Sequence, residues 1–376
     1  MLSPLRRRIT NSCRVLTLSI VVCATVDAAA QGNLDKRLIQ KTAISGESQP
    51  LEKLLETLCT KHKLKLQINN TSLAAEGLDA STSVSGIRAE GITLASALNL
   101  ILEPLQLMYR VDRGTLYVDT SVKINEQLVT ATYPVGGLGP FDPDMLHFAL
   151  QQMSSGEWEE IDGVGGKVVA MTPQSISISQ SPATHAEIAD LLERTAAALS
   201  GKRRAATLID RSEDMLRRTL ARPISLPAGE VEIEELDELL WTELKINVVI
   251  SEADLADEGI DSASKLTLSG EKQPAGVTVA AALASQGLVP LIRHEVLYIT
   301  TKARAEDFRV VQIYDARARN RTPEDIAAQV VQIKELGPWE DVDGIGGTVA
   351  VLGPLVLIRQ TAAAHEQLAQ QLGPGK

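Results

Sequence analysis

The segment EWEEIDGVGG at residues 157–166 returns as PWEDVDGIGG at 338–347, and it does not return alone. LQINNTSLAAEGLD at 66–79 matches VVISEADLADEGID at 248–261 without a gap. GTLYVDT at 114–120 answers EVLYITT at 295–301, and SISQSPATHAEIADLLERT at 177–195 answers LIRQTAAAHEQLAQQL at 357–372. Four matches in one order, at spacings of 180 to 182 residues, mark an internal duplication. Whatever one half folds into, the other must be able to fold into as well. A chain of 376 residues built this way divides into several small cores rather than one large one.

Inside one copy the hydrophobic period changes along the chain. Leu51, Leu54, Leu55 and Leu58 recur at helical spacing, and Leu64, Leu66 and Ile68 then alternate as a strand face. The second copy repeats this with Leu236, Leu239 and Leu240, then Ile246, Val248 and Ile250. A polar turn leads to a strand at 81–85 or 265–269, a short helix at 93–102 or 278–284, and a closing strand pair at 107–111 with 116–118, or 288–293 with 297–299. In the second copy, residues 223–226 add a strand before the first helix. A smaller unit follows: a strand at 129–134 or 308–314, a helix at 143–153 or 323–333, the tryptophan loop, two strands at 167–171 and 175–179 or 348–352 and 355–359, and a helix at 183–199 or 362–372. Pro182 after Ser181 suits a helix start, where a missing N–H costs nothing.

The pattern predicts an α+β chain of four small units in the order A-B-A-B, with helices packed on small mixed sheets. The A units span 36–120 and 222–301, and the B units span 121–200 and 302–374. Between the copies, 201–221 reads as a basic linker, solvated or lying against an acidic unit.

These residues carry a resemblance. The helix–strand–turn–strand unit, with its closing half GIT-LASALNLILEPLQLMYRVDRGTLYV at 91–118 and the parallel stretch from Gly276 to Ile299, resembles the short N-terminal (STN) domain of secretins and TonB-dependent receptors. The smaller unit, with its WEEIDGVGG-type loop, resembles the ring-building periplasmic domains that follow it in secretins. Together the likenesses cover about residues 36–200 and 220–374, and bacterial, planctomycete-type envelope proteins carry such modules without a pore domain. The resemblance implies protein binding, ring stacking or docking of plug segments. The sequence departs from it in having no long amphipathic β-barrel region, so neither an outer-membrane pore nor a complete TonB-dependent receptor is expected.

The first thirty residues read as a cleaved signal peptide: Arg6, Arg7, Arg8 and Arg14, an apolar run from Val15 to Thr25, and small residues at 28–30. That run is too short to span a bilayer, and no later stretch is long enough, so no stable transmembrane segment is expected after cleavage. The placement is periplasmic or otherwise exported, with association at the outer membrane open. Without these residues the chain holds 33 basic and 47 acidic side chains. A net charge of -14 repels phosphate backbones and argues against nucleic-acid binding. Of three cysteines only Cys59 remains, which excludes an internal disulfide framework and a thiolate metal cluster.

The repeated loop is the natural candidate for function. Trp158 and Trp339 each follow a helix and precede a glycine turn, where a large ring can cover the edge of a small core or anchor a protein contact. Gly163, Gly165 and Gly166, with Gly344, Gly346 and Gly347, are expected to reverse the chain at positive φ. The acids Glu159, Glu160 and Asp162, with Glu340, Asp341 and Asp343, lack the alternating ligands and distal glutamate of a calcium loop. No Lys-Ser or Lys-Thr follows the glycines, so a phosphate loop is not indicated. His185 and His365 hold matching places in the first turn of the closing helix. Neither has a His, Cys or carboxylate at a spacing that recurs in both copies, so both read as structural. With no Gly-x-Ser-x-Gly elbow either, the sequence names no catalytic residue, metal ligand or cofactor site, and a non-enzyme is expected.

Two functions remain to be weighed. One is an exported scaffold or adaptor that assembles with envelope proteins or with itself, linked to a secretin-like or transport complex. The other is a periplasmic small-molecule-binding or hydrolytic protein with its site between the two repeat halves.

Overall fold

Leu51, Leu54, Leu55 and Leu58 line one side of the helix Leu51–His62, which stops where Lys63 turns left-handed at φ 54°. The computed structural model describes residues 35–84, 86–201, 206–319 and 321–372; the expected signal peptide lies outside them. After this helix the chain enters a three-stranded sheet. Thr115–Thr120 is central, with Lys65–Ile68 parallel on one side and Leu107–Asp112 antiparallel on the other. The second A unit repeats the order with Val296–Thr301 between Val248–Ile250 and Leu288–Arg293. Each A unit also holds two small antiparallel pairs. Lys41–Ser45 pairs with Arg88–Thr93, and Gln49–Pro50 with Ser83–Val84. Their counterparts are Pro223–Ile224 with Gln273–Pro274, and Gly229–Glu232 with Lys265–Leu268.

Both B units are three-stranded antiparallel sheets backed by helices. Ser175–Gln180 lies between Val129–Pro134 and Lys167–Met171 under the helices Pro143–Met153 and Pro182–Leu199. Leu355–Thr361 lies between Arg309–Asp315 and Thr348–Leu352 under Pro323–Val330 and Ala362–Leu372.

The sequence expectation lacks most strands of the small pairs in the A units, which occur in both copies and not in the second alone, and three further details differ. The polar turns after the first A strands are short helices, Asn70–Ala75 and Glu252–Asp257, because Asn69 and Ser251 accept backbone N–H bonds at their starts. The helix expected over 323–333 ends at Val330, and a 3-10 turn takes over at Lys334–Leu336. The stretch read as a linker contains a helix, Leu208–Leu220, opened by a Thr207–Asp210 capping box. Its Leu216 and Leu220 enter the core of the second A unit, so apolar burial and not basic charge decides where this segment lies. Lys202, Arg203 and Arg204 fall outside the described residues.

The copies pack on each other in one direction. In the first B unit the strand SISISQ turns Ile176 and Ile178 into its own core and leaves Ser175, Ser177 and Ser179 on the outer face. In the second, LVLIRQT turns Val356 and Ile358 inward, while Leu355 and Leu357 join Ala350 and Leu352 in the first unit's core. Thr130 and Thr132 of the first sheet become Val311 and Ile313 in the second, both packed against that same core. Helices of the first B unit therefore lie on the outer face of the second B sheet. Arg194 Nη1 donates to the Val311 carbonyl at 2.8 Å, and Thr348 Oγ1 donates to the Gln152 carbonyl at 2.8 Å.

The A units repeat this logic. Val249, Val296 and Tyr298 of the second sheet belong to the first unit's core, while the corresponding Gln67, Thr115 and Tyr117 of the first sheet are exposed or half-buried. On the first unit's helix Leu94–Leu102, Ser96 and Leu100 are buried, and their counterparts 181 positions on, Val277 and Ala281, are exposed. Both pairs thus use a heterologous contact, helix layer on sheet face. On the free sheet faces the first copy carries Gln, Thr and Ser where the second carries apolar residues, so little apolar area is left there to drive packing of a further unit.

A measurement follows from this polarity. Leu357→Ala should cost ~2–5 kcal/mol, as for other core leucines. Ser177→Ala, at the matching place on the free face, should stay within about 0.5 kcal/mol of the parent. Equal effects in denaturant titrations would contradict the seam.

Candidate functional site

The two tryptophan loops have one architecture. Each tryptophan starts a single helical turn, Glu159–Asp162 or Glu340–Asp343, closed by a left-handed glycine, Gly163 at φ 74° or Gly344 at φ 73°. The last acid of that turn folds back: Asp162 Oδ2 accepts from the Trp158 N–H at 2.7 Å, and Asp343 Oδ2 from the Trp339 N–H at 2.8 Å. The loop is laced shut by backbone bonds. Glu159 N–H donates to Gly166 at 2.8 Å and Gly166 N–H to Glu157 at 2.9 Å, and Glu340–Gly347 and Gly347–Pro338 repeat both distances. Asp162 and Asp343 are thus accounted for by their own loop's backbone donor, Glu159 pairs with Lys167 and Glu160 accepts from Gln151. Among the described residues no group of three or more His, Cys, Asp or Glu could hold a metal ion.

The glycines divide into two kinds. Gly163, Gly165, Gly344 and Gly346 have positive φ, as the turn requires. Gly166 and Gly347 do not, which corrects the expectation that all six would. They are needed for room, since a methyl at either would strike the side-chain amide of Gln180 or Gln360. That glutamine is the member of the site that sequence reasoning missed. Gln180, 2% exposed, donates through Nε2 to the Glu157 carbonyl at 2.7 Å and accepts from the Ser181 N–H at 2.7 Å. Gln360 makes the same pair of bonds to Pro338 and Thr361, at 3.1 and 2.8 Å. Its identical place in both copies was the available signal.

Both tryptophan rings are 2% exposed and sit in the cores of their own units. Trp158 Nε1 donates to Ser154 Oγ at 3.1 Å. The rings are therefore turned away from solvent, and what each loop presents outward is a pair of apolar residues: Ile161 and Val164, 51% and 57% exposed, and Val342 and Ile345, 61% and 68% exposed. Both loops are attached to the end of one helix, Pro143–Met153. Gln151 Nε2 donates to Glu160 at 3.1 Å, and the strand leaving the second loop bonds to the Gln152 carbonyl.

The repeated histidines form a second shared device. His185 Nε2 faces the Val129 carbonyl at 2.8 Å, which can only accept, so Nε2 carries the proton. Nδ1 then accepts from the Tyr133 hydroxyl at 2.6 Å. His365 does the same with Val310 at 2.9 Å and Tyr314 at 2.8 Å. The tyrosines repeat at a spacing of 181 and were not singled out from sequence. Each clasp ties the closing helix to the first strand of its B unit. Burial holds both imidazoles below the usual value of 6.5, against a smaller opposing effect of the carbonyl bond, and it pushes the Tyr314 hydroxyl up to about 12.

Because their folded values are depressed, these histidines stabilise the fold fully above pH 6.5 and lose that contribution as pH falls below it. Buried His62, also depressed by burial, adds to the same window. Denaturation midpoints should therefore drop on acidification from pH 7, and His185→Gln with His365→Gln should flatten the drop. An unchanged slope in the double variant would assign the effect elsewhere.

Cys59 is buried on its helix, and burial pushes its thiol up to about 11, with Glu56 adding to the shift. Between the copies the contacts are apolar packing, ion pairs and hydrogen bonds such as the pair between Glu90 and Asn247, both at 2.9 Å. A concave groove lies on the outer face of the first A sheet, lined by Gln67, Asn69, Arg110, Tyr117, Asp119 and Gln127 among others. Arg110 stacks on Tyr117 at 3.9 Å, and Asn69 Nδ2 donates to Asp119 at 2.8 Å.

No protein-family model matches the chain, and no curated protein matches it. Among solved structures, one similar chain comes from the GspC-GspD complex of the type II secretion system of enterotoxigenic Escherichia coli. It shares 17% identity, covers 41% of this chain and 98% of that one, and has a TM-score of 0.16. A likeness of that size carries no argument, and the reading of function rests on the molecule itself. No helix among the described residues is long and apolar enough to cross a membrane.

Proposed function

We propose that the chain is an exported, non-enzymatic scaffold or adaptor that mediates protein–protein assembly in the bacterial cell envelope. One observation supports this above the rest: each A and B unit of the first copy already recognises its counterpart in the second, helix layer on sheet face. That contact is recognition between protein units, carried out here within one chain. The repeated residues that first suggested chemistry support the same reading, since Asp162, Asp343, His185 and His365 spend their polar atoms on the backbone and on Tyr133 and Tyr314. The test is amine-reactive crosslinking in intact cells, followed by mass spectrometry of what is attached to the chain. Reproducible attachment to other envelope proteins is expected. A chain that returns alone would overturn the reading and turn attention to small-molecule ligands.

A further inference from the structure

The fold needs the tryptophan loops at their base but not at their tips. Trp158, Gln180, Asp162 and the glycines are fixed by burial and hydrogen bonds, and so are Trp339, Gln360 and Asp343. Ile161, Val164, Val342 and Ile345 are each more than half exposed, at places where any polar residue would satisfy the turn. A β-branched apolar pair stands on a solvent-facing turn that does not need one to form. Here it occurs twice, with the two residue types exchanged in order.

Three further observations bear on what covers these tips. The tips are held on preformed turns, so binding costs little ordering of the loop backbone. A carboxylate flanks each pair: Glu160, 56% exposed, beside the first, where Glu159 is already paired with Lys167, and exposed Glu340 beside the second. Both loops hang from the C-terminal end of the helix Pro143–Met153, so their relative placement is fixed by the seam between the B units.

We infer that the two loops form one bipartite docking surface for a single partner protein, which offers two neighbouring apolar pockets rimmed by lysine or arginine. This rests on the assembly reading above and adds the surface and the partner's chemistry. The exposed carboxylates of Glu160 and Glu340 favour a basic-rimmed protein over an anionic bilayer, which would repel them. The pairing makes binding bivalent: with both loops seated, the second contact is intramolecular, and overall affinity exceeds that of either loop by about 10²–10⁴-fold.

The test places a photo-crosslinking amino acid at Val164 or at Ile345 of the full chain in its own cells, with the adducts mapped by mass spectrometry. The expected result is the same partner polypeptide from both positions, attached at sites flanked by Lys or Arg. With that partner purified, Ile161→Ser/Val164→Ser and Val342→Ser/Ile345→Ser should each lower affinity by about 10²-fold or more, and raising the salt should weaken binding of the parent chain. Unfolding midpoints should be unchanged, since all four positions are exposed. Different proteins from the two positions would overturn the inference, as would lipid adducts. So would the absence of any loop adduct while amine-reactive crosslinking still attaches proteins elsewhere, an outcome that leaves the assembly reading standing.

Discussion

Trp158→Ala is expected to destabilise the first B unit by ~3–5 kcal/mol, the range for removing a buried large aromatic. The ring is 2% exposed and packs in the unit's core beside Leu150, Met153, Ile176 and Ile178. Its N–H also satisfies Ser154 Oγ, which the substitution would leave without that donor. Deleting the ring removes the cover from the end of the helix Pro143–Met153 and from the strand pair at once. Because that helix also covers the second B sheet, the loss should spread across the seam to residues 309–361. Hydrogen exchange is the suitable readout: protection should fall throughout both B units, while the A units, with cores of their own, keep theirs. A loss below about 1 kcal/mol would mean that the loop closes without its ring. It would also undercut the argument that the contact surface belongs to Ile161 and Val164 rather than to the tryptophans.

Much of this was legible from alternation. SISIS and LVLIR both read as strands with one apolar face, but the contact between the copies that the second strand's outer leucines make was not read from them. Helix positions were legible for the same reason, since Leu51 to Leu58 and Leu146 to Met153 carry the helical period. What stayed hidden was anything made by residues distant in sequence whose own type looks ordinary. Gln180 and Gln360 sit in strands where a glutamine reads as surface, yet they are buried because the loop backbone brings two polar groups to them. Tyr133 and Tyr314 finish strands, and nothing local says that a histidine some fifty positions on will meet them. The helix Leu208–Leu220 was hidden by its charge: its many arginines advertise solvent while Leu216 and Leu220, one turn apart, decide its packing. The glycine turn was seen, but the separate reasons for Gly165 and Gly166 depend on the neighbours' positions.

Glu295→Ala is expected to cost ~2–3 kcal/mol, the range for losing charge-assisted hydrogen bonds to a buried carboxylate whose lysine partner is partly screened by solvent. Position 295 shows how a turn became a seam. In the first copy the hairpin turns on Arg113 and Gly114, both at positive φ, and glycine bears this conformation without penalty. In the second copy the same turn is His294 and Glu295, at φ 51° and 64°, and a glutamate in the left-handed region costs ~1–2 kcal/mol. That strain is offset across the seam. The Glu295 carboxylate, 1% exposed, accepts from Lys41 Nζ at 2.5 Å and from the Thr93 N–H at 2.5 Å, both in the first A unit. Burial alone would raise its pKa; the bonds from Lys41 and Thr93 outweigh that and hold it below the usual carboxylate value. Beside it Glu103 of the first unit meets Arg293 at 2.6 Å and His294 at 3.0 Å, so the turn is gripped from both sides. Glu295→Gly separates the two effects. It loses the same bonds as alanine but relieves the backbone, and it should be less damaging than alanine by ~1 kcal/mol. Chemical denaturation of the three chains decides the matter. If the glycine variant equals the parent, the carboxylate's bonds do no more than offset the strain of the turn. If alanine and glycine cost the same, the left-handed turn carries no strain. The expected order, parent above glycine above alanine, would show that the second copy accepted a strained turn because the carboxylate it carries fastens the two A units together.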